Sequence, residues 1–210
     1  MSALGQSTTE LAQSTSGALK RAVACVAALN ICYFAFELTV AQRIGSVSLF
    51  ADSIDFLEDA TVNGLILLAL PWSPRRRGTV GVLLAGILLL PGLATAWTAY
   101  GKFALPVPPA AVPLTLTGSG ALIVNFTCAL ILARVRRAGG SLSRAAFLSA
   151  RNDVLANIAI VVAGALTLLR PSAWPDLLVG LGILVLNFDA AREVYIAARS
   201  EQRAMDIEHG

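Results

Sequence analysis

Residues 45–63 read Gly45-Ser-Val-Ser-Leu-Phe-Ala-Asp-Ser-Ile-Asp-Phe-Leu-Glu-Asp-Ala-Thr-Val-Asn63, and their reading decides the fold. The stretch places four acidic side chains, Asp52, Asp55, Glu58 and Asp59, inside a run otherwise apolar enough to cross a membrane. A charge at that depth costs roughly 2.5–3.5 kcal/mol on insertion scales, so several together imply a use. On a helix Asp55 and Asp59 differ by about 40° around the axis, with Cβ atoms about 5–6 Å apart. Asp52, seven residues before Asp59, continues the same stripe, and Asn63 extends it by one further turn. Glu58 points roughly 100° away from Asp59, on the flank of the stripe. Two carboxylates so placed can close on one cation at metal–oxygen distances of about 2.0–2.6 Å.

Composition agrees with a polytopic, all-α membrane protein. Of 210 residues, 56% are hydrophobic and only 14% charged, whereas ordinary globular chains carry about 25% charged residues. The net charge of +3 is small, and the basic residues sit in short loops instead of forming a nucleic-acid patch. Three cysteines, Cys25, Cys32 and Cys128, are scattered through apolar runs, which argues against a disulfide framework or a paired-cysteine zinc site and suits small packing residues. The single histidine, His209, stands beside the C-terminus, so a buried metal site must do without imidazole.

Working outward, residues 1–18 are polar without an apolar period and read as a mobile tail. Six spans then fill residues 19–197, at about Ala22–Ala41, Ser46–Leu70, Val80–Tyr100, Leu114–Ala133, Ala145–Leu169 and Asp176–Val194. Pro91 predicts a kink in the third span, and Leu105–Pro113 predicts a stiff Pro-rich link. A short polar tail, 198–210, closes the chain. One side of this arrangement collects Lys20, Arg21, Arg75, Arg76, Arg77, Arg134, Arg136, Arg137, Arg144, Arg192, Arg199 and Arg203. The other collects only Arg43, Lys102 and Arg170. The excess of Lys and Arg on one side predicts both termini in the cytoplasm.

Oxygen-ligated ions want four to eight ligands, so the second span needs help. The fifth span offers Asp153 with Ser149 and Asn157 four residues away on the same face. If the second and fifth helices face each other, Asp55, Asp59 and Asp153 form a carboxylate cluster with Ser149 or Asn157 as a neutral fourth ligand. Crowded, desolvated carboxylates cannot all stay charged without a cation, so protons should take the place of an absent metal. Glu37 and Asn30 in the first span and Asn125 in the fourth read as interhelical hydrogen-bonding groups, with Glu37, Asp52 and Asn63 as possible pathway positions. Glu58 and Arg151 are candidates to neutralise each other.

These residues resemble the cation diffusion facilitator family. The likeness rests on Glu37, on Gly45-Ser-Val-Ser-Leu-Phe-Ala-Asp-Ser53, on Asp55-xxx-Asp59, on Asp153-xxx-Asn157 and on Asp176, and covers about residues 20–195. It implies a six-helix homodimer with cytosolic ends that exports zinc or related divalent metals in exchange for protons, with no resident cofactor. Two departures stand out. The family's first fifth-span ligand is usually His or Asp, and here it is Ser149, giving an all-oxygen site that suits manganese or magnesium better than zinc. The family's cytosolic metal-binding domain is not expected in the polar residues after the last span.

The reading is therefore a transporter of Zn, Mn, Fe or Co-type ions in a bacterial inner membrane, not an enzyme. One rival keeps the fold but loses transport through Ser149, leaving a partner subunit. A second, an intramembrane aspartyl hydrolase, needs one aspartate on each of two helices near a Gly-x-Gly-Asp signature that is missing here.

Overall fold

The computed structural model describes residues 2–69, 92–135 and 140–186. The Pro71–Arg77 turn, Pro91 with the start of the third span, and residues 187–210 with the polar tail lie outside the described residues. The described chain is all-α: α1 (Ser2–Ile44), α2 (Val47–Ala69), α3 (residues 92–104), α4 (Ala111–Val135), α5 (Gly140–Leu169) and α6 (Trp174–Leu186).

Sequence and structure agree closely where caps mark the ends. The sequence bounds the second span at Ser46 and about Leu70, and α2 starts at Val47 and ends at Ala69. Its 23 residues rise about 34 Å at 1.5 Å each, enough for a hydrocarbon layer of about 30 Å. Other boundaries differ: α5 starts at Gly140, within the expected basic loop and ahead of Ala145, and α1 runs on to Ile44 past the expected Ala41. The helix of the first span reaches back to Ser2, through the polar stretch read as a tail. Adding residues to an existing helix needs only one new bond per residue fixed, so a strong apolar helix extends readily into neutral-propensity sequence. The helix of the fourth span begins at Ala111, inside the expected Pro-rich link. Pro113 is tolerated there because the first turn does not use its N–H.

α1 and α2 form an antiparallel hairpin around Gly45, whose φ of +65° is a left-handed conformation that other residues adopt only at a penalty. The Ser46 amide donates to the Ala41 carbonyl at 3.0 Å, closing α1 as a Schellman cap. α4 and α5 form a second antiparallel pair that meets its neighbour without bulk: a side chain on Gly118 would strike Ile160, and one on Gly164 would strike Thr115. α1 packs on α2 and α4, and α2 reaches α5 as well. The apolar centre draws Ala41, Leu49, Ala51, Leu114, Ile160 and Ile183 from five helices.

The polarity of the bundle is inverted relative to a soluble protein. Phe36, Leu116, Ile123, Leu155, Leu169 and Val185 face outward, while Asn30, Glu37, Asp52, Asn63, Asn125, Asn157 and Asp176 are buried. Helices in lipid associate through such interior polar contacts and small residues, since apolar surface gains nothing by leaving the tails. By length and composition Gly17–Ile44 and Ala111–Arg134 suffice to cross a membrane, and Asp153–Leu169 and Trp174–Leu186 are shorter apolar helices. Cys25 and Cys32 are exposed, so they are not interior packing residues as their apolar setting suggested; only Cys128 is buried.

Candidate cation site

The site is hung from the start of α2, and that start is built by α6. Asp176 is fully buried and its carboxylate caps α2 from outside. It accepts from the Val47 and Ser48 amides at 2.9 and 3.1 Å and from the Ser46 and Ser48 hydroxyls at 2.6 and 2.7 Å. The Ser46 hydroxyl also accepts from the Leu49 amide at 3.2 Å, so three early N–H groups of α2 are satisfied. Lys102 of α3 completes the knot, with Nζ 3.0 Å from Asp176 and donating to the Gly45 carbonyl. The Gly45-Ser-Val-Ser48 sequence therefore has a mechanical role: a turn, two hydroxyl donors and a helix start held by one acidic side chain. Gly180 lets α6 come close enough, because a Cβ there would stand 2.8 Å from the Ser48 amide nitrogen.

Below this anchor the acidic stripe of α2 meets polar partners in rungs. Asp59 meets Asp153 of α5 carboxyl to carboxyl, within hydrogen-bonding reach, and Asn30 of α1 donates to Asp59 at 3.5 Å. The buried Cys128 thiol of α4 donates in turn to the Asn30 carbonyl oxygen at 3.6 Å. Asp55 lies between the rungs, close enough to Asp153, Asp52, Glu58 and Asp59 to feel their charge. One heptad earlier, Asn157 of α5 donates to both oxygens of Asp52 at 2.7 Å, and Asn125 of α4 donates to the Asn157 carbonyl oxygen at 2.9 Å. Asn30 and Asn125 thus form the interhelical bonds expected of them.

The predicted site residues are brought together unevenly. Asp59 and Asp153 stand close together across α2 and α5 and Asp55 lies near enough to feel both charges, but among the described residues no three acidic, His or Cys side chains close on a single ion point. Asn157 is committed to Asp52 and Asn125, so its oxygen is engaged elsewhere. Asn63, which sequence spacing puts one turn beyond Asp59 on the stripe, is buried. Its amide nitrogen donates to the Asp59 carbonyl at 2.8 Å, while its Oδ1 is buried with no donor among the described residues. The side chains of Ser149 and Arg151 lie outside the described residues, and the Glu58–Arg151 pairing with them.

The pairing of α1 with α2 follows from counting outward from Gly45. Asn30 is fifteen residues before it and Asp59 fourteen after; Glu37 is eight before and Asp52 seven after. Antiparallel helices joined by a tight turn place equidistant residues side by side, so this signal was present in the sequence.

The profile of the cation efflux transmembrane domain matches residues 23–201. The chain belongs to the cation efflux family. The match spans every element that carries the rungs. Cation efflux proteins are transporters and not enzymes, so this chain is a membrane protein that moves divalent cations, and the metal is its substrate. Comparison with curated proteins gives no match.

Proposed function

We propose that this cation efflux protein exports divalent cations from the cytoplasm in exchange for protons, through a site formed by Asp55, Asp59 and Asp153. The observation that carries the reading is the Asp59–Asp153 contact between α2 and α5. Two carboxyls in that contact repel unless a proton or a cation lies between them, which supports alternation between the two. Asn63 Oδ1 and Ser149 supply neutral oxygens. A site of carboxylate and carbonyl oxygen suits Mn²⁺ better than Zn²⁺.

Six crossings with cytoplasmic termini account for the loop charges. Of the three basic residues on the outer side, Lys102 is buried and neutralised by Asp176, which sharpens the asymmetry. Trp97, Tyr100, Phe103 and Trp174 gather at that same end, with ring centroids 6.1 Å apart for Trp97–Tyr100 and 5.8 Å for Phe103–Trp174. Such a belt suits a membrane–water interface. The protein is proposed to act as a homodimer in a bacterial plasma membrane.

The test is uptake of Mn²⁺, Zn²⁺, Fe²⁺, Co²⁺ and Mg²⁺ into proteoliposomes holding the wild type or Asp59→Ala, with and without a pH gradient. Flux led by Mn²⁺ that needs both Asp59 and the gradient is expected. Flux indifferent to the gradient would end the proton-exchange reading, and no flux for any ion would leave the partner-subunit reading in its place.

A further inference from the structure

The second rung holds a carboxyl group that the Asp55/Asp59/Asp153 site does not use. Glu37 is entirely buried on α1, and among the described residues neither of its carboxylate oxygens receives a hydrogen bond from an amide, hydroxyl or ammonium donor. What its carboxyl meets is the carboxyl of Asp52, itself fully buried. Among the described residues neither group pairs with a cationic side chain; the ion pair found there, Lys102–Asp176, stands at the Gly45 end. Asp52 is held in place by two hydrogen bonds from the neutral Asn157 amide, which fix its position without cancelling its charge. The Tyr33 hydroxyl beside the pair is spoken for, donating to the Thr117 carbonyl at 2.6 Å. Two fully buried carboxyl groups that meet only each other and, at Asp52, a neutral amide leave a charge that nothing among the described residues offsets.

We propose that Glu37 and Asp52 form a second divalent-cation subsite between α1 and α2, separate from the Asp55/Asp59/Asp153 group. Two carboxylates balance the charge of one divalent ion, and their oxygens belong to the hard class that prefers Mn²⁺ or Mg²⁺ over softer metals. Asp52 lies seven residues from Asp59, a rise of about 10.5 Å along α2, so the subsites are distinct positions. The subsite sits on the Gly45 side, and it serves as the exit station for an ion that has left Asp59 and Asp153. This role rests on the export reading, while ion binding at the pair does not.

The experiment counts Mn²⁺ bound per chain on the full-length protein in detergent, by paramagnetic resonance at saturating Mn²⁺. Wild type, Glu37→Gln, Asp52→Asn and Asp59→Ala are compared. Glu37→Gln is the gentlest change, because a Gln amide can donate to Asp52 and keep the contact. Two ions are expected for the wild type and one for each variant. One ion in the wild type, one in Glu37→Gln and none in Asp59→Ala would overturn the second subsite, leaving the pair to a proton, with the main site intact. One ion in the wild type, none in Glu37→Gln and one in Asp59→Ala would uphold the pair and overturn the main site. No bound ion in the wild type would overturn both.

Discussion

Asp176 and Glu37 are both acidic, both fully buried and both near the same end of the bundle, yet their surroundings are opposite. Asp176 receives two amides, two hydroxyls and the Lys102 ammonium. Among the described residues Glu37 receives no amide, hydroxyl or ammonium donor and meets only the Asp52 carboxyl. Burying a carboxylate is costly unless donors or a counter-charge replace the lost water. Asp176 meets that condition within the fold and is a structural part. Glu37 meets it only when something arrives from outside the fold. Counting donors around a buried acid thus separates the acids that hold the bundle together from those kept ready for an ion.

The comparison breaks first at Asp176. Asp176→Asn keeps the shape but leaves the buried Lys102 unpaired, and removing one partner of such a pair destabilises by about 3–5 kcal/mol. Thermal unfolding in detergent should show a large drop in midpoint; a variant as stable as wild type would mean the knot is not what holds α2. A smaller loss is expected for Gly180→Ala, whose Cβ would meet the Val47 and Ser48 backbone at 2.8 Å. Overpacking of this kind costs about 1–3 kcal/mol. If that midpoint does not move, the close approach of α6 to α2 is not required. The smallest effect, with the opposite sign, belongs to Glu37→Gln. Neutralising the orphaned acid should leave the metal-free midpoint unchanged or raise it, by about 1 kcal/mol for one gained hydrogen bond. A fall as deep as that of Asp176→Asn would place Glu37 among the structural acids instead.

Much of this was legible in the chain. The i,i+4 spacing of Asp55 and Asp59 fixes one helix face whatever the tertiary structure, and Asp153 repeats the pattern in the fifth span. Gly45 followed by Ser46 announces a helix end and a helix start, and both lie where the sequence puts them. Three things were less visible. The α2 donors to Asp176 come from residues some 130 positions away, for instance Ser46 at a separation of 130, so no local pattern reveals that it caps α2. The engagement of Asn157 depends on Asn125, which sits on another helix. Register was the third: Glu37 and Asp52 become partners only once α1 and α2 are seen as one hairpin folded about Gly45.

That hairpin has a mechanical consequence. Its turn end is fastened by Asp176 to α3 and α6 through both hydroxyls and amides of Ser46–Ser48, while its rungs lie progressively farther from the fastening. α1 and α2 therefore behave like tongs pivoted at their closed end. A given angular opening parts Asn30 from Asp59 more widely than it parts Glu37 from Asp52, so the jaws open widest far from Gly45, the end at which the proposed export would admit its ion.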